Sequence, residues 1–237
     1  MKKNDLIFIL AVAVLFLPFV FIKPLFAGFE WATAHHPFIM SFLKFGILAT
    51  LGEMLGLRIR TGSYNAPGFG ALPRAITWGF LGMMINAGFI IFGSGSYNIL
   101  LTLGIGTPDG TPTYAEMMKM SIFSTHSWYH ALAAFVTSFM QNTLFAPVFM
   151  IIHKISDLHI LRNGGTLRGY FTRPCVTDLI ASLDWRGMWR FLFKRTIPFF
   201  WIPAHTVTYL LPAEFRILFA ALLGVILGVF MSVNAKK

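Results

Sequence analysis

The sequence predicts an all-α protein, a polytopic bundle of about six transmembrane helices with both termini on the cytoplasmic side. Composition is the first observation: apolar residues make up 56% of the chain, charged residues only 12%, and the mean hydropathy is +0.69. A soluble domain of this length needs more charge to cover its surface. The second observation is that the apolar residues form runs long enough to span a bilayer. The third is that positive charge falls between alternate runs.

Six runs contain the roughly 20 apolar residues that a transmembrane helix requires. They cover residues 6–26, 37–57, 75–100, 127–152, 191–211 and 214–233, and the second and fifth also contain charged residues. We treat residues 1–237 as a single transmembrane domain. Lys2, Lys3 and the following apolar run resemble a cleaved secretory signal, but the run is long enough to span, so we expect a retained helix.

Lysine and arginine set the predicted orientation of these runs. They lie before the first run, after the second, after the fourth and after the sixth, at Lys2, Lys3, Arg58, Arg60, Arg74, Lys154, Arg162, Arg168, Arg173, Arg186, Arg190, Lys236 and Lys237. Cytoplasmic loops carry an excess of such residues, which places both termini and the basic loop 153–190 on that side. The net charge of +10 therefore indicates topology and contact with anionic lipid headgroups. Nucleic acid is not an expected partner, because no aromatic-interleaved basic patch is present.

Two of the runs carry polar residues at helical spacing, each on one face of a predicted α-helix. The predicted lining residues are His126, His130, Thr137 and Gln141 on the fourth run and Lys194, Trp201, His205 and Thr208 on the fifth. Such residues cost free energy in hydrocarbon unless they face other helices or water. The two faces indicate either a water-lined solute path or a dry core of interhelical hydrogen bonds, and the sequence leaves both open.

The second run contains two charged residues, Lys44 and Glu53, on opposite faces of a helix. They cannot pair with each other, so each needs another partner or water. Glu53 shares a face with Arg60, which suggests an ion pair near the end of the run. Lys44, Lys194 and Arg195 would give an internal path a positive bias, which favours anionic solutes.

No pattern in the chain is typical of an enzyme. His126 and His130 have the i, i+4 spacing of metal ligands, but no nearby carboxylate or cysteine completes a site. There is no Gly-x-Ser-x-Gly motif and no phosphate-binding glycine loop, and the single cysteine, Cys175, has no evident base. We predict no catalytic residue, no metal and no cofactor. A membrane enzyme that uses the histidines is a third class, which stoichiometric bound metal or cofactor would reveal.

Local signals complete the prediction of helices and their contacts. Asp184 is a candidate N-cap for a short helix before the fifth run. Small residues recur every four positions at Gly52 and Gly56, and again at Ala220, Gly224, Gly228 and Ser232. Stripes of this kind let helix backbones approach closely, so we expect them at helix–helix interfaces.

Several short motifs occur in a distinctive order. His36-Pro37 is followed by Gly52-Glu53, residues 141–147 read QNTLFAP, and residues 212–216 read PAEFR. In this order and spacing, residues 36–233 resemble the Mpv family of peroxisomal and inner-mitochondrial membrane proteins, which has bacterial relatives. The matching positions include Pro37, Gly52, Glu53, Pro147, Pro212 and Arg216. Glu53 stands where the family has Asp, Gln141 replaces an acidic residue, and residues 1–35 form an additional N-terminal span.

The resemblance implies a small helical membrane protein of a family described as pores for small solutes. With the polar faces, it favours an integral membrane channel or channel-like facilitator for small polar or anionic solutes. The alternative is a non-conducting scaffold whose polar faces are interhelical hydrogen bonds. The expected location is the bacterial cytoplasmic membrane, with the mitochondrial inner membrane as the alternative. A homo-oligomer is compatible with the pattern, which does not give the number of copies.

Overall fold

The computed structural model describes residues 3–106, 113, 116 and 128–234, and the regular elements within them are all helical. The all-α prediction is therefore confirmed for this part of the chain. The elements are α1 (Lys3–Phe21), α2 (Lys23–His35), α3 (Pro37–Thr61), α4 (Ala71–Thr102), α5 (Trp128–Met140), the π-helical segment π1 (Gln141–Phe145), α6 (Ala146–Arg162), α7 (Leu167–Tyr170), α8 (Val176–Ala181), α9 (Trp185–Gly187), the π-helical segment π2 (Met188–Trp201), α10 (Ile202–Leu210) and α11 (Ala213–Asn234).

Four helices in the described residues are long and apolar enough to cross a membrane. They are Lys3–Phe21, Pro37–Thr61, Ala71–Thr102 and Trp128–Arg162, and they match the first four predicted runs. The first run is shorter than predicted, because α1 ends at Phe21 and the chain bends at Ile22. Residues 188–210 form π2 and α10, and α11 has a shorter apolar stretch, Phe215–Val229. The fifth and sixth spans therefore stay predictions.

Helix α1 is attached to the bundle through its first turns and buries none of its residues. Arg58 donates to both carboxylate oxygens of Asp5, from Nε at 2.7 Å and from Nη2 at 2.9 Å. The Tyr64 hydroxyl donates to the same carboxylate at 3.1 Å, and the Phe8 and Tyr64 rings stack with centroids 4.4 Å apart. The apolar side chains along the rest of α1, such as Leu10, Val14 and Val20, are exposed, which is typical of a helix in contact with lipid.

The core forms where α3 packs along α4 and α11, while α5 packs against α4 and α10. Glycines allow the close approach of α3 to its neighbours. A Cβ added at Gly46 would lie 2.9 Å from the Ala75 carbonyl oxygen, and one at Gly82 would lie 2.6 Å from that of Ser41. A Cβ at Gly52 would lie 2.9 Å from Cγ2 of Val225 on α11, so the predicted role of this glycine in helix packing is confirmed.

Two π-helical segments change the faces that the helices present. The N–H of Ala146 donates to the Gln141 carbonyl, and the N–H of Ile202 donates to that of Ile197, so each bond joins positions five apart. A proline follows π1 at Pro147 and lies inside π2 at position 198. Proline has no N–H and clashes with the preceding turn, which disrupts α-helical bonding there. The segments π1 and π2 also contact each other.

Candidate functional site

A cavity of about 530 Å³ lies among α3, α4, π1, α6, π2, α10 and α11. Its volume falls within the roughly 300–1,000 Å³ that is usual for small-molecule pockets. Most of the wall is apolar and includes Phe45, Ala49, Phe145, Phe149 and Leu227. Polar side chains gather in two places, which we call the charged group (Glu53, Arg74, His153 and Asp157) and the donor group (Gln141, Asn142, Trp201 and His205). Residues 142 and 153 are separated by roughly 16 Å of helix.

Arg74 holds the charged group together from the first turn of α4. Its Nη1 lies 2.6 Å from Oε2 of Glu53 on α3 and 2.6 Å from Oδ1 of Asp157 on α6. Its Nε donates to the Phe69 carbonyl at 2.7 Å, which fixes the guanidinium. One cation therefore links three helices and compensates two carboxylates that are mostly shielded from solvent.

His153 lies between the two remaining carboxylate oxygens. Its Nε2 is 3.4 Å from Oε1 of Glu53 and 3.5 Å from Oδ2 of Asp157. The ring packs on Trp78 with centroids 4.4 Å apart, and the Trp78 Nε1 donates to Oε1 of Glu53 at 3.0 Å. Lys154 Nζ, 3.7 Å from Oδ2 of Asp157, adds a half-exposed cation.

The charged group contains a donor set that suits a cation, since one ligand atom each from Glu53, His153 and Asp157 lies within 4.8 Å of the others. A divalent cation would, however, meet a guanidinium that is already bonded to both carboxylates. The negative charge that attracts a metal is compensated, so the geometry favours an ion-pair network.

The donor group forms where π1 meets α10. Asn142 Nδ2 donates to the Ser138 carbonyl at 2.8 Å and lies 3.0 Å from Nδ1 of His205. The Asn142 Oδ1 is 3.2 Å from the same nitrogen. The distances to His205 therefore do not distinguish the amide nitrogen from the amide oxygen, and the other hydrogen bonds of Asn142 have to do so. The bond to Ser138 requires nitrogen at Nδ2. Nδ1 of His205 then accepts from Nδ2 in one neutral tautomer of the ring and donates to Oδ1 in the other.

Gln141 and Trp201 add further N–H donors to the same end of the cavity. Tyr209 donates its hydroxyl proton to Oε1 of Gln141, which leaves the amide nitrogen as the part of that side chain without a bond to a described residue. The Trp201 ring lies 5.1 Å from that of His205, and its buried Nε1 has no hydrogen-bond partner among the described residues. Buried donors of this kind favour a ligand group that accepts hydrogen bonds.

The eight predicted lining residues do not all lie on the cavity wall. Gln141, Trp201 and His205 line the cavity. His130, Thr137 and Thr208 are buried, with 4%, 4% and 0% exposure, and are absent from the cavity wall. Lys194 is exposed and faces a separate groove, and His126 lies outside the described residues.

The position of Lys194 has a geometric reason. In an α-helix, residues 194 and 201 are seven apart, about two turns, and share a face. Both lie in π2, where the wider turn makes seven residues about one and a half turns. Lys194 and Trp201 therefore point in different directions. The prediction that they share a face assumed α-helical spacing throughout.

The intramembrane charges of α3 both have partners. Lys44 is 6% exposed, donates to Oγ1 of Thr33 at 2.9 Å and lies 4.5 Å above the Phe29 ring. The sequence suggests an ion pair of Glu53 with Arg60. In the structure the arginine that lies against Glu53 is Arg74 of α4, which also pairs with Asp157 of α6. The pair His153 and Asp157 has i, i+4 spacing that the sequence displays, whereas nothing in the sequence indicates that Arg74 meets both carboxylates.

The remaining motif residues lie at the beginnings and ends of helices. Pro37 begins α3, Pro147 lies in the first turn of α6, and residue 212 separates α10 from α11. Arg216 is 2% exposed and donates to the carbonyls of Leu211 at 2.8 Å and Tyr209 at 2.9 Å. It therefore satisfies the carbonyls that the end of α10 leaves unpaired. Asp184 accepts from the Gly187 N–H at 2.9 Å, so the predicted N-cap is confirmed.

No protein-family model, no curated protein and no solved structure matches this chain. The two polar groups and the cavity between them are therefore the features that bear on its function.

Proposed function

We propose that the chain is an integral membrane channel or channel-like facilitator for small polar or anionic solutes. The observation that carries the proposal is the cavity of about 530 Å³, with the charged group at one part of its wall and the donor group at another. A solute path through apolar helices needs polar groups that replace water without binding too tightly. The N–H groups of Gln141 and Trp201 and the imidazole of His205 supply such contacts without a fixed charge.

The proposal includes a six-span topology with both termini on the cytoplasmic side. Residues 188–210 and α11 would be the fifth and sixth spans. The Mpv-like motif order supports this arrangement, because its residues lie in the charged group (Glu53), the donor group (Gln141) and the junction of α10 with α11 (Arg216). The proposed location is the bacterial cytoplasmic membrane, with the mitochondrial inner membrane as the alternative.

A glycine in the cavity wall permits a sharp test of conduction. A Cβ at Gly224 would meet no atom of the described residues within 4 Å, so among these residues Gly224 faces the cavity and makes no helix contact. Gly224→Leu should fill part of the cavity and leave the helix contacts intact. Gly95→Leu is the matched control, because a Cβ there also meets no atom within 4 Å in the part of the chain that the structure describes, and Gly95 lies outside the cavity wall.

The measurement is efflux from liposomes loaded with small anions, sugars and nucleotides. We expect protein-dependent efflux of a subset of these solutes, lowered at least about fivefold by Gly224→Leu and unchanged by Gly95→Leu. Tight vesicles containing folded wild-type protein would reject the proposal, and so would equal effects of the two variants.

The second candidate is a non-conducting scaffold, which the burial of three predicted lining residues favours. His130, Thr137 and Thr208 are at most 4% exposed, and Thr208 donates within its own helix to the Ala204 carbonyl at 2.9 Å. Cysteine substitutions distinguish the candidates. A water-soluble thiol reagent should modify Gly224→Cys and spare Thr208→Cys if the cavity is part of a path, and should spare both in a scaffold.

A further inference from the structure

The segment π2 carries three cations that the proposed solute path does not use. Arg190, Lys194 and Arg195 are exposed and, with Phe191 and Phe199, line a groove separate from the cavity. None of the three forms an ion pair or hydrogen bond with the residues that the structure describes. Three positive charges close together on one segment create a local positive potential that attracts an anionic group.

The π-helical winding assembles this surface. Residues four and five apart share a face in a π-helix, because its hydrogen bonds join positions five apart. Residues 190, 194, 195 and 199 follow that spacing, so the three cations and Phe199 lie together. In an α-helix, residues 190 and 199 would lie on opposite sides, about two and a half turns apart. We call these four residues the basic face.

Aromatic side chains around the basic face indicate its depth. Trp185 is 42% exposed, Trp189 is 64% exposed and Phe199 is 80% exposed. Tryptophan is enriched where a transmembrane helix meets the lipid headgroups, and arginine and lysine are common at the same level. Phe199 lies further along π2, where its exposed ring would reach toward acyl chains.

We propose that the basic face binds the phosphate headgroup of an anionic phospholipid. The Arg190 and Arg195 guanidinium groups can each present two N–H donors to phosphate oxygens, and Lys194 adds a point charge. Phe199 packs against the lipid chain below the headgroup. A phospholipid supplies the phosphate for the cations and the acyl chain for Phe199 in one molecule, at the headgroup level that the exposed Trp185 and Trp189 indicate, so lipid is the occupant that fits the whole face. The inference requires membrane insertion and does not depend on conduction through the cavity.

The experiment measures binding of fluorescent short-chain phosphatidylglycerol and phosphatidylcholine to full-length protein in a neutral detergent. Wild-type protein should bind phosphatidylglycerol at least about tenfold more tightly than phosphatidylcholine. The triple variant R190Q/K194Q/R195Q should reduce this preference to within about twofold. The matched control is R168Q/R173Q/R186Q, which removes the same net charge from exposed positions in the preceding loop. It should keep the preference.

Each other outcome overturns the proposal. Equal binding of the two lipids by wild-type protein excludes a headgroup site, and an equal loss in the control triple variant indicates bulk charge. Displacement of the lipid by inorganic phosphate at similar concentration would make this a free-phosphate site. Circular dichroism establishes that each variant is folded. If R190Q/K194Q/R195Q does not fold, the single variants K194Q and R195Q replace it, and each should lower phosphatidylglycerol binding about threefold.

Discussion

At the residue scale, Arg74 is the side chain on which the charged group depends. It lies 2.6 Å from both Glu53 and Asp157, and its own side chain is 13% exposed. Removing it leaves two largely shielded carboxylates, whose remaining contacts include His153, the half-exposed Lys154 and the indole N–H of Trp78. Breaking a buried ion pair from one side costs more than the pair contributes, because the remaining charge stays desolvated.

We predict that Arg74→Gln lowers the free energy of unfolding by about 3 kcal/mol, a value reduced for the partial exposure of the carboxylates. Thermal melting in detergent, followed by circular dichroism, measures the effect. In a Glu53→Gln background the same change should cost less, because one carboxylate fewer is left uncompensated. A loss no larger than that of the exposed loop variant Arg168→Gln would contradict the role assigned to Arg74.

Substitutions at two aromatic residues near the cavity can distinguish a hydrogen bond that stabilises the protein from a donor that contacts the solute. Trp201 Nε1 has no partner among the described residues, whereas the Tyr209 hydroxyl donates to Gln141. Tyr209→Phe should therefore destabilise the protein by about 1–2 kcal/mol, since it leaves a buried acceptor unpaired. Trp201→Phe should cost less than about 1 kcal/mol and lower solute efflux. Unchanged efflux with Trp201→Phe would show that the indole N–H does not contact the solute.

At the element scale, the packing of α3 against α4 depends on glycines at the contact. A Cβ at Gly82 would lie 2.5 Å from the Phe45 Cβ and 2.6 Å from the Ser41 carbonyl oxygen, so one of the helices would have to move. We predict that Gly82→Ala destabilises the protein by about 1–3 kcal/mol in thermal melts. Gly95→Ala on the same helix is the control and should be neutral or slightly stabilising, since no described atom lies within 4 Å of its added Cβ.

The π-helical segments determine which residues meet across the bundle. They direct Trp201 and His205 toward the cavity and Lys194 away from it. Residues at α-helical spacing share a face only while the helix stays regular. One wider turn rotates all the residues that follow about the helix axis, so they face a different side from the one that the spacing predicts. The prolines at 147 and 198 are the sequence signals of this change, and they indicate a disruption without giving its direction.

At the scale of the whole molecule, the proposed orientation can be tested by labelling a native cysteine. The single cysteine, Cys175, is exposed and lies in the basic loop 153–190. If this loop is cytoplasmic, a membrane-impermeant maleimide should label it in inverted vesicles and leave it unlabelled in intact cells. Cys175→Ser gives the background. Labelling of intact cells would reverse the proposed orientation of both termini and of the basic face.

The sequence by itself determined the fold class and the first four long apolar helices. Hydropathy is a property of a run of residues, and a bilayer requires the same length of apolar helix whatever the neighbouring helices are. It also indicated that Gln141, Trp201, His205 and Glu53 were polar groups that need partners within the bundle.

Tertiary structure decided which partners these residues have. Arg74 meets Asp157 across 83 positions of sequence, and Asn142 meets His205 across 63. Such pairs depend on how helices pack and on the extra width of the π-helical turns, neither of which a helical wheel contains. The π-helical winding also placed Arg190, Lys194, Arg195 and Phe199 together. The angle between successive residues around a helix axis depends on the hydrogen-bond pattern of the helix, which amino-acid composition alone does not determine.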